Sequence, residues 1–294
     1  MSGKEFFIKR YKELGWKFTE IQLRQAIRIN RSRIAERPVL ERLLKRGIIV
    51  EKIPFLRDGY WIKRAKVSPG ATSEYLLGYY SIQEAASQIP VTLFTNLKDK
   101  IVLDACAAPG GKTVQLADLM CNSGLVLALD ISQQRLNALA NHLERCNTKN
   151  TVVYNMDARN VQSIHLSFDR ILLDVPCSGN FAGDKYWFRN RSIKDVEVNA
   201  KTQREILTKA VKVLKDDGQI VYSTCSLEPE ENELNINWAL ANLNVEIEET
   251  DAIGENGKTK LFGKRLDESI RNCRRIWPEE TQGFFFCKLR KKCR

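Results

Sequence analysis

At 294 residues, 43% of them hydrophobic and 28% charged, the chain is long enough to bury a sizeable core as one large domain with an appendage. No apolar run approaches the roughly 18 residues of a membrane helix, and the start, Met1 to Arg10, is charged rather than signal-like; a cytoplasmic protein is expected, with no membrane partner. The net charge of +11 is concentrated in residues 1–66, which hold 18 basic against 7 acidic residues while the rest holds 29 of each, a footprint that predicts a phosphate-backbone partner.

Residues 1–25 carry helical spacing, and Ala26-Ile27-Arg28-Ile29-Asn30 alternates as a strand does. A helix is predicted from Pro38 to Arg46 with Gly47 as its stop, followed by a strand at Ile48 to Val50. This reads as a small α+β module, placed at residues 1–95, whose Arg24, Arg28, Arg31 and Arg33 are the expected contacts to that phosphate backbone. A second domain is placed at 96–294.

In that domain apolar strands are predicted at Ile101 to Asp104, Leu125 to Asp130, Thr151 to Asn155, Arg170 to Asp174 and Gln219 to Thr224, as in a parallel sheet covered on both faces. Ser132 caps a helix that puts Leu136, Leu139, Ala140 and Leu143 on one buried face. The stretch Asn180 to Lys194 reads as a loop whose Tyr186, Trp187, Phe188, Arg189 and Arg191 suit either an unpaired base or buried packing. Phe284 to Leu289 reads as a closing antiparallel strand, and the tail Lys288 to Lys292 as a further phosphate contact.

The first of these strands runs into Ala105-Cys106-Ala107-Ala108-Pro109-Gly110-Gly111-Lys112-Thr113, a small-residue turn opening a helix, where open parallel sheets hold nucleotide-like cofactors. Gly111-Lys112-Thr113 imitates the end of a P-loop, but Cys106 stands where that pattern needs glycine, and the adjacent Gly110-Gly111 does not fit G-x-G-x-x-G. The turn suits a ligand without pyrophosphate, S-adenosylmethionine. Asp130, ending the second strand, is placed to accept ribose hydroxyls, and Asp157, after the third, the adenine amine.

Eight cysteines occur without a CxxC pair, so neither zinc nor thioredoxin spacing is present; no metal site is expected, and reduced thiols are. Two of them follow parallel strands: Cys177 in Leu173-Asp174-Val175-Pro176-Cys177-Ser178-Gly179, and Cys225 in Tyr222-Ser223-Thr224-Cys225-Ser226. Strands that end on one edge let both sulfurs face one pocket. Carbon 5 of cytosine becomes nucleophilic enough to take a methyl group only after a thiolate adds to carbon 6. One cysteine suffices for that step; the proton on carbon 5 must then be removed, by a second cysteine or a water. With His142 on a helix and His165 in a connection, Lys112, Asp174 and a helix N-terminus are left to set the thiol's field. Asp174 is also placed to bond the cytosine amine and, if protonated, ring nitrogen 3. Cys121, Cys146, Cys273, Cys287 and Cys293 read as small buried apolar residues.

Asp104 to Thr113, Asp174 to Gly179 and Ser223 to Ser226 together resemble the NOL1/NOP2/Sun (RsmB-type) RNA 5-methylcytosine methyltransferases. Gly70 to Gln83, Arg28-Ile29-Asn30 and Gly283-Phe284-Phe285 extend the likeness over roughly residues 25 to 290. The resemblance implies a Rossmann-like S-adenosylmethionine-dependent methyltransferase of the α/β class, with a seven-stranded, mostly parallel sheet and an N-terminal RNA-binding module. It implies that Cys106, Ala107, Ala108, Pro109, Gly110, Gly111 and Lys112 line the cofactor's methionine and adenosine, Asp130 and Arg135 its ribose side and Asp157 its adenine, while Asp174 approaches both methyl donor and base. It assigns the covalent nucleophile to Cys225 and product release to Cys177, an order that chemistry alone leaves open. A compact, archaeal-type, monomeric tRNA enzyme is what it suggests, with ribosomal RNA as the alternative. Pro278 is followed by Glu279 where the family often has histidine, which sets the local RNA contacts apart.

Three rivals fit less well. A DNA cytosine methyltransferase would use Cys177 and has no need of Thr224-Cys225. An exocyclic-amine methyltransferase would carry an aromatic residue at position 177. A non-catalytic RNA assembly factor would have no use for the intact acids and cysteines.

Overall fold

The computed structural model describes residues 3–16 and 21–292; the expectations for Cys293 and for part of the first helical stretch fall outside them. The chain opens with helix α1 (Gly3–Glu13), which ends well before the expected residue 25 because Gly15 turns the chain at φ +88°. A four-stranded antiparallel sheet follows, built from β1 (Ala26–Ile29), β2 (Ile48–Lys52), β3 (Gly59–Ala65) and β4 (Tyr80–Ile82) in the order β2-β3-β1-β4. The alternating stretch is thus an inner strand, buried along its whole length. Helix α2 (Glu36–Lys45) lays Val39 and Leu43, one turn apart, on Ile27, Ile29 and Tyr80. One-turn helices α3 (Ser73–Leu76) and α4 (Ile89–Thr92) lead into the larger domain.

There β5 (Ile101–Asp104), α5 (Gly111–Leu119), β6 (Leu125–Asp130), α6 (Gln133–Arg145), β7 (Thr151–Asn155), β8 (Phe168–Asp174), α7 (Trp187–Asn190), α8 (Ile193–Val213), β9 (Leu214–Thr224) and α9 (Glu233–Asn242) alternate. The strands β7-β6-β5-β8-β9 are parallel, in a Rossmann-like order. The register pairs Asp104 with Ala128 and Leu172, and Asp174 with Ser223, so the carboxyl ends of the strands share one edge. β15 (Phe284–Lys291) runs antiparallel to β9; its other side is shared between β14 (Arg274–Ile276) and β10 (Val245–Glu248), and β11 (Glu255–Asn256) extends β14. A small hairpin, β12 (Lys260–Leu261) and β13 (Lys264–Arg265), stands apart. The sheet therefore has nine strands rather than seven, the additions being β11 and β14. β14 escapes an apolar reading because Arg275 is fully buried, neutralised by a two-pronged pair with Glu233.

Burial corrects other expectations. β7 is the sheet's edge strand, and its Val152 and Tyr154 are exposed. Ser132 caps α6 and Leu136, Leu139 and Leu143 are buried, but Ala140 faces solvent. Trp187 is buried against Phe7 of α1, with ring centres 4.6 Å apart, and Phe188 stacks on Phe181 at 4.9 Å, so these two aromatics pack the protein, whereas Tyr186 is exposed. In the tail, Lys288 and Arg290 pair with Glu248, and Lys291 with Asp216, rather than standing free for phosphate. One core joins α1 to β8 and α8; another joins β1 and β3 to α5 and β15. The core is continuous across residue 95.

Candidate active site

The turn after β5 is fixed by its smallest residues. Gly110 sits at φ +105° as the cap of α5, a conformation that strains any side chain, and a Cβ there would also press on the end of the Leu139 side chain, 2.7 Å from Cδ1. Beneath it Thr113 Oγ1 donates to Asp104 Oδ2 at 2.8 Å, and burial pushes the Asp104 carboxyl up to about 7. Lys112 reaches across the strand ends to Asp174, Nζ to Oδ2 at 2.8 Å, and lies 5.5 Å from the centre of the Phe284 ring. Ser223 Oγ donates to Asp174 Oδ1 at 2.8 Å, so both carboxylate oxygens are oriented.

At the end of β6, Asp130 accepts the backbone N–H of Ser132 at 2.9 Å and of Ala108 at 3.2 Å, and Arg135 pairs with it at 3.3 Å. Asp157 is gripped by its neighbour Arg159, whose guanidinium and backbone N–H hold its carboxyl below the ordinary range.

Both cysteine loops close on one point. Cys177 Sγ and Cys225 Sγ are 3.3 Å apart. The hydrogen bond from the Cys177 thiol favours the thiolate of Cys225 and lowers its pKa, with Lys112 assisting, while the same bond and burial raise Cys177 well above the usual thiol range. Cys106, Asp130, Asp157, Asp174, Cys177 and Cys225 line one cavity of about 320 Å³. A second lobe of about 220 Å³, which shares Cys106, Ala108 and Asp174 with it, is lined by Ala107, Pro109, Gly111 and Lys112. Arg135 borders the first lobe; Gly110 shapes the turn from behind. The expected residues are thus brought together, and the acids, Lys112 and backbone N–H groups fit an adenosyl amino acid.

Sequence reasoning missed the frame beneath the sulfurs. Glu231 accepts the Ser178 backbone N–H at 2.9 Å and its hydroxyl at 2.5 Å; Ser178 Oγ lies 3.1 Å from Ser226 Oγ. Asn180 Nδ2 donates to the Cys225 carbonyl at 2.7 Å. The residue after each cysteine is thereby tied to the other loop. The run Glu228-Pro229-Glu230-Glu231-Asn232-Glu233 looks like solvated acid by composition, yet Glu228, Glu231, Asn232 and Glu233 are fully buried. Glu84, from the N-terminal segment, also lines the smaller lobe. His142 packs outside the two lobes, held down to about 4 by burial. Cys146, Cys273 and Cys287 are buried as expected, whereas Cys121 is exposed in a left-handed turn.

The predicted arginine contacts divide. Arg28 is buried and pairs with Asp118 at 3.3 Å, Arg31 is held by Asp58 and Glu36, and Arg24 by Glu51 and Glu280. Arg33 donates to the Leu77 carbonyl. Exposed cations of this segment include Arg37, Arg42, Lys45 and Arg46 on and after α2 and Lys63, Arg64 and Lys66 at the end of β3, alongside Lys4, Lys9 and Lys12 of α1, Lys52 and Arg57.

A family model described as 16S rRNA methyltransferase RsmB/F matches residues 91–290, and one described as the N-terminal domain of 16S rRNA methyltransferase RsmF matches residues 4–85. The chain is 34% identical over 275 residues to the 28S rRNA (cytosine-C(5))-methyltransferase of Mus musculus, covering 90% of this chain and 35% of that protein. It is 35% identical over 280 residues to the ribosomal RNA small subunit methyltransferase F of Psychromonas ingrahamii, covering 92% and 57%. The chain thus spans between a third and three fifths of these relatives. A solved methyltransferase homologue from Pyrococcus horikoshii matches with a TM-score of 0.85 at 38% identity, over 92% of this chain and 87% of that one. NSun6 from Pyrococcus horikoshii, solved with SFG, shares the fold with a TM-score of 0.82 at 24% identity, over 99% and 96%.

Proposed function

The chain belongs to the 16S rRNA methyltransferase RsmB/F family, and from that premise we propose that it methylates carbon 5 of cytosine in RNA with S-adenosylmethionine, through a covalent bond from Cys225. The observation that carries this reading is the pair of sulfurs 3.3 Å apart in the cavity that also holds Asp130 and Asp174.

Cys225, favoured as thiolate by its hydrogen bond, adds to carbon 6 and leaves carbon 5 electron-rich. Asp174, oriented by Lys112 and Ser223, accepts the exocyclic amine of the base and, when protonated, donates to ring nitrogen 3, dispersing the negative charge that develops there. When bound, S-adenosylmethionine supplies the electrophilic methyl group that carbon 5 receives. Cys177, once its own proton has passed to solvent, takes the proton from carbon 5, and the Cys225 sulfur leaves with the electron pair of its bond to carbon 6. Asp130 with Arg135 faces the ribose of the methyl donor, Asp157 its adenine, and residues 106–112 its remainder.

Residues 1–95 serve in this reading as the RNA-binding module, through the exposed cations of α2 and β3. For the RNA itself, the resemblance to compact members suggests tRNA, whereas the names of the curated relatives favour ribosomal RNA. Bisulfite sequencing of total RNA from cells with and without the gene tests both. Loss of one protected cytosine in ribosomal RNA supports the second, loss in tRNA the first, and no loss in either overturns the assignment.

A further inference from the structure

The smaller lobe of the site is faced by three acids, Glu84, Asp104 and Asp174, and one cation, Lys112. The acids are not equivalent. Asp174 is engaged on both oxygens, by Lys112 and Ser223. Asp104 is 1% exposed; Oδ2 takes the Thr113 hydroxyl, and Oδ1 is buried with no hydrogen-bond partner among the described residues. Glu84 is likewise bonded on both oxygens, by the backbone N–H of Ser87 on Oε2 at 3.0 Å and of Gln282 on Oε1 at 3.2 Å, but these donors are neutral amides and no cation among the described residues forms an ion pair with it. Its remaining lone pairs, and the ammonium hydrogens that Lys112 does not use on Asp174, leave one acceptor and one donor for a ligand.

That pattern complements a group carrying an ammonium and a carboxylate together. The adenosine-facing acids, Asp130 and Asp157, line the other lobe, and Cys106 and Ala108 border both. A ligand lying along the strand ends therefore has its adenosine on one side of this border and its amino-acid end on the other.

We propose that Glu84 binds the α-ammonium of the methyl donor's amino-acid end while Lys112 faces its carboxylate. The inference rests on the methyl-donor reading above. Glu84 follows β4 of the N-terminal module and adjoins Gln83, which accepts Arg28 Nε at 3.0 Å and donates to Gln115 of α5 at 3.1 Å. The module thus forms part of the donor site as well as facing RNA.

Calorimetric titration of wild-type protein and Glu84→Gln with S-adenosylhomocysteine, and with 5′-methylthioadenosine, which lacks the amino-acid end, tests it. A lost charge-assisted bond weakens S-adenosylhomocysteine about ten- to a hundredfold, with 5′-methylthioadenosine unchanged and reporting that the variant is folded. Equal weakening of both ligands, or no weakening of either, overturns the proposal and leaves Glu84 as a cap for the turn at Ser87. Wild-type protein that does not bind S-adenosylhomocysteine overturns the methyl-donor reading itself.

Discussion

Replacing Arg28 by methionine separates a structural arginine from an RNA contact. The guanidinium is buried at the seam between the two parts of the chain, where it donates to Gln83 and pairs with Asp118, so the variant leaves the Asp118 carboxylate buried without its cation. Breaking a buried pair by removing one partner costs about 3–5 kcal/mol. The lower part of that range applies, because Asp118 keeps the backbone N–H groups of Arg31 at 3.0 Å and Ser32 at 2.6 Å. For a chain of this size, that loss lowers the melting temperature by on the order of 10 °C. The assay pairs thermal unfolding with RNA binding over a salt series, measured well below the transition. The expected result is a large drop in melting temperature with an unchanged salt slope. An unchanged melting temperature with weaker, less salt-dependent binding would refute the reasoning and return Arg28 to the RNA surface.

Changing Lys63, Arg64 and Lys66 together to alanine should do the opposite, weakening RNA binding and flattening its salt dependence while the melting temperature stays within about 1–2 °C, since surface changes are nearly neutral. Gly110→Ala forces a side chain into a left-handed turn against Leu139 and should destabilise the protein by about 2 kcal/mol or more, with loss of S-adenosylhomocysteine binding by calorimetry. Cys177→Ala should shift the pH profile of Cys225 alkylation upward, because it removes the hydrogen bond that favours the thiolate; an unmoved profile would deny the coupling. Glu228 is raised from 4.5 to about 7 by burial, so the folded state holds a proton that the unfolded state releases. Its contribution is fully present below about pH 4.5 and is lost as pH rises through 7, and urea unfolding of Glu228→Gln should fall off less between pH 5 and 8 than the wild type does.

The strands β5, β6 and β7 were legible to the residue because each is an uninterrupted apolar run between turn signals. The start of β9 was not, since Lys215, Asp216 and Asp217 interrupt the pattern in a bulge between Leu214, paired with Phe168, and Gln219, paired with Arg170. β14 was hidden by Arg274 and by Arg275, and the burial of Arg275 depends on Glu233, some forty residues earlier. The same limit hid the frame of the site. A one-dimensional pattern gives two cysteines at the ends of neighbouring strands, but whether Glu231 lies in solvent or under both loops depends on contacts between distant segments. Glu84 was unreadable for the same reason, belonging by sequence to one module and by position to the other's site. Chemistry supplied the cysteine pair, the resemblance its order, and the fold the distance between the sulfurs.

The central claim, that Cys225 attacks and Cys177 releases, is tested most directly by trapping. Incubated with RNA and S-adenosylmethionine, Cys177→Ala should accumulate a covalent protein–RNA adduct visible as a slow band on a denaturing gel, and Cys225→Ala should form neither adduct nor product. An adduct in Cys225→Ala, with none in Cys177→Ala, would contradict the account and assign the attack to Cys177.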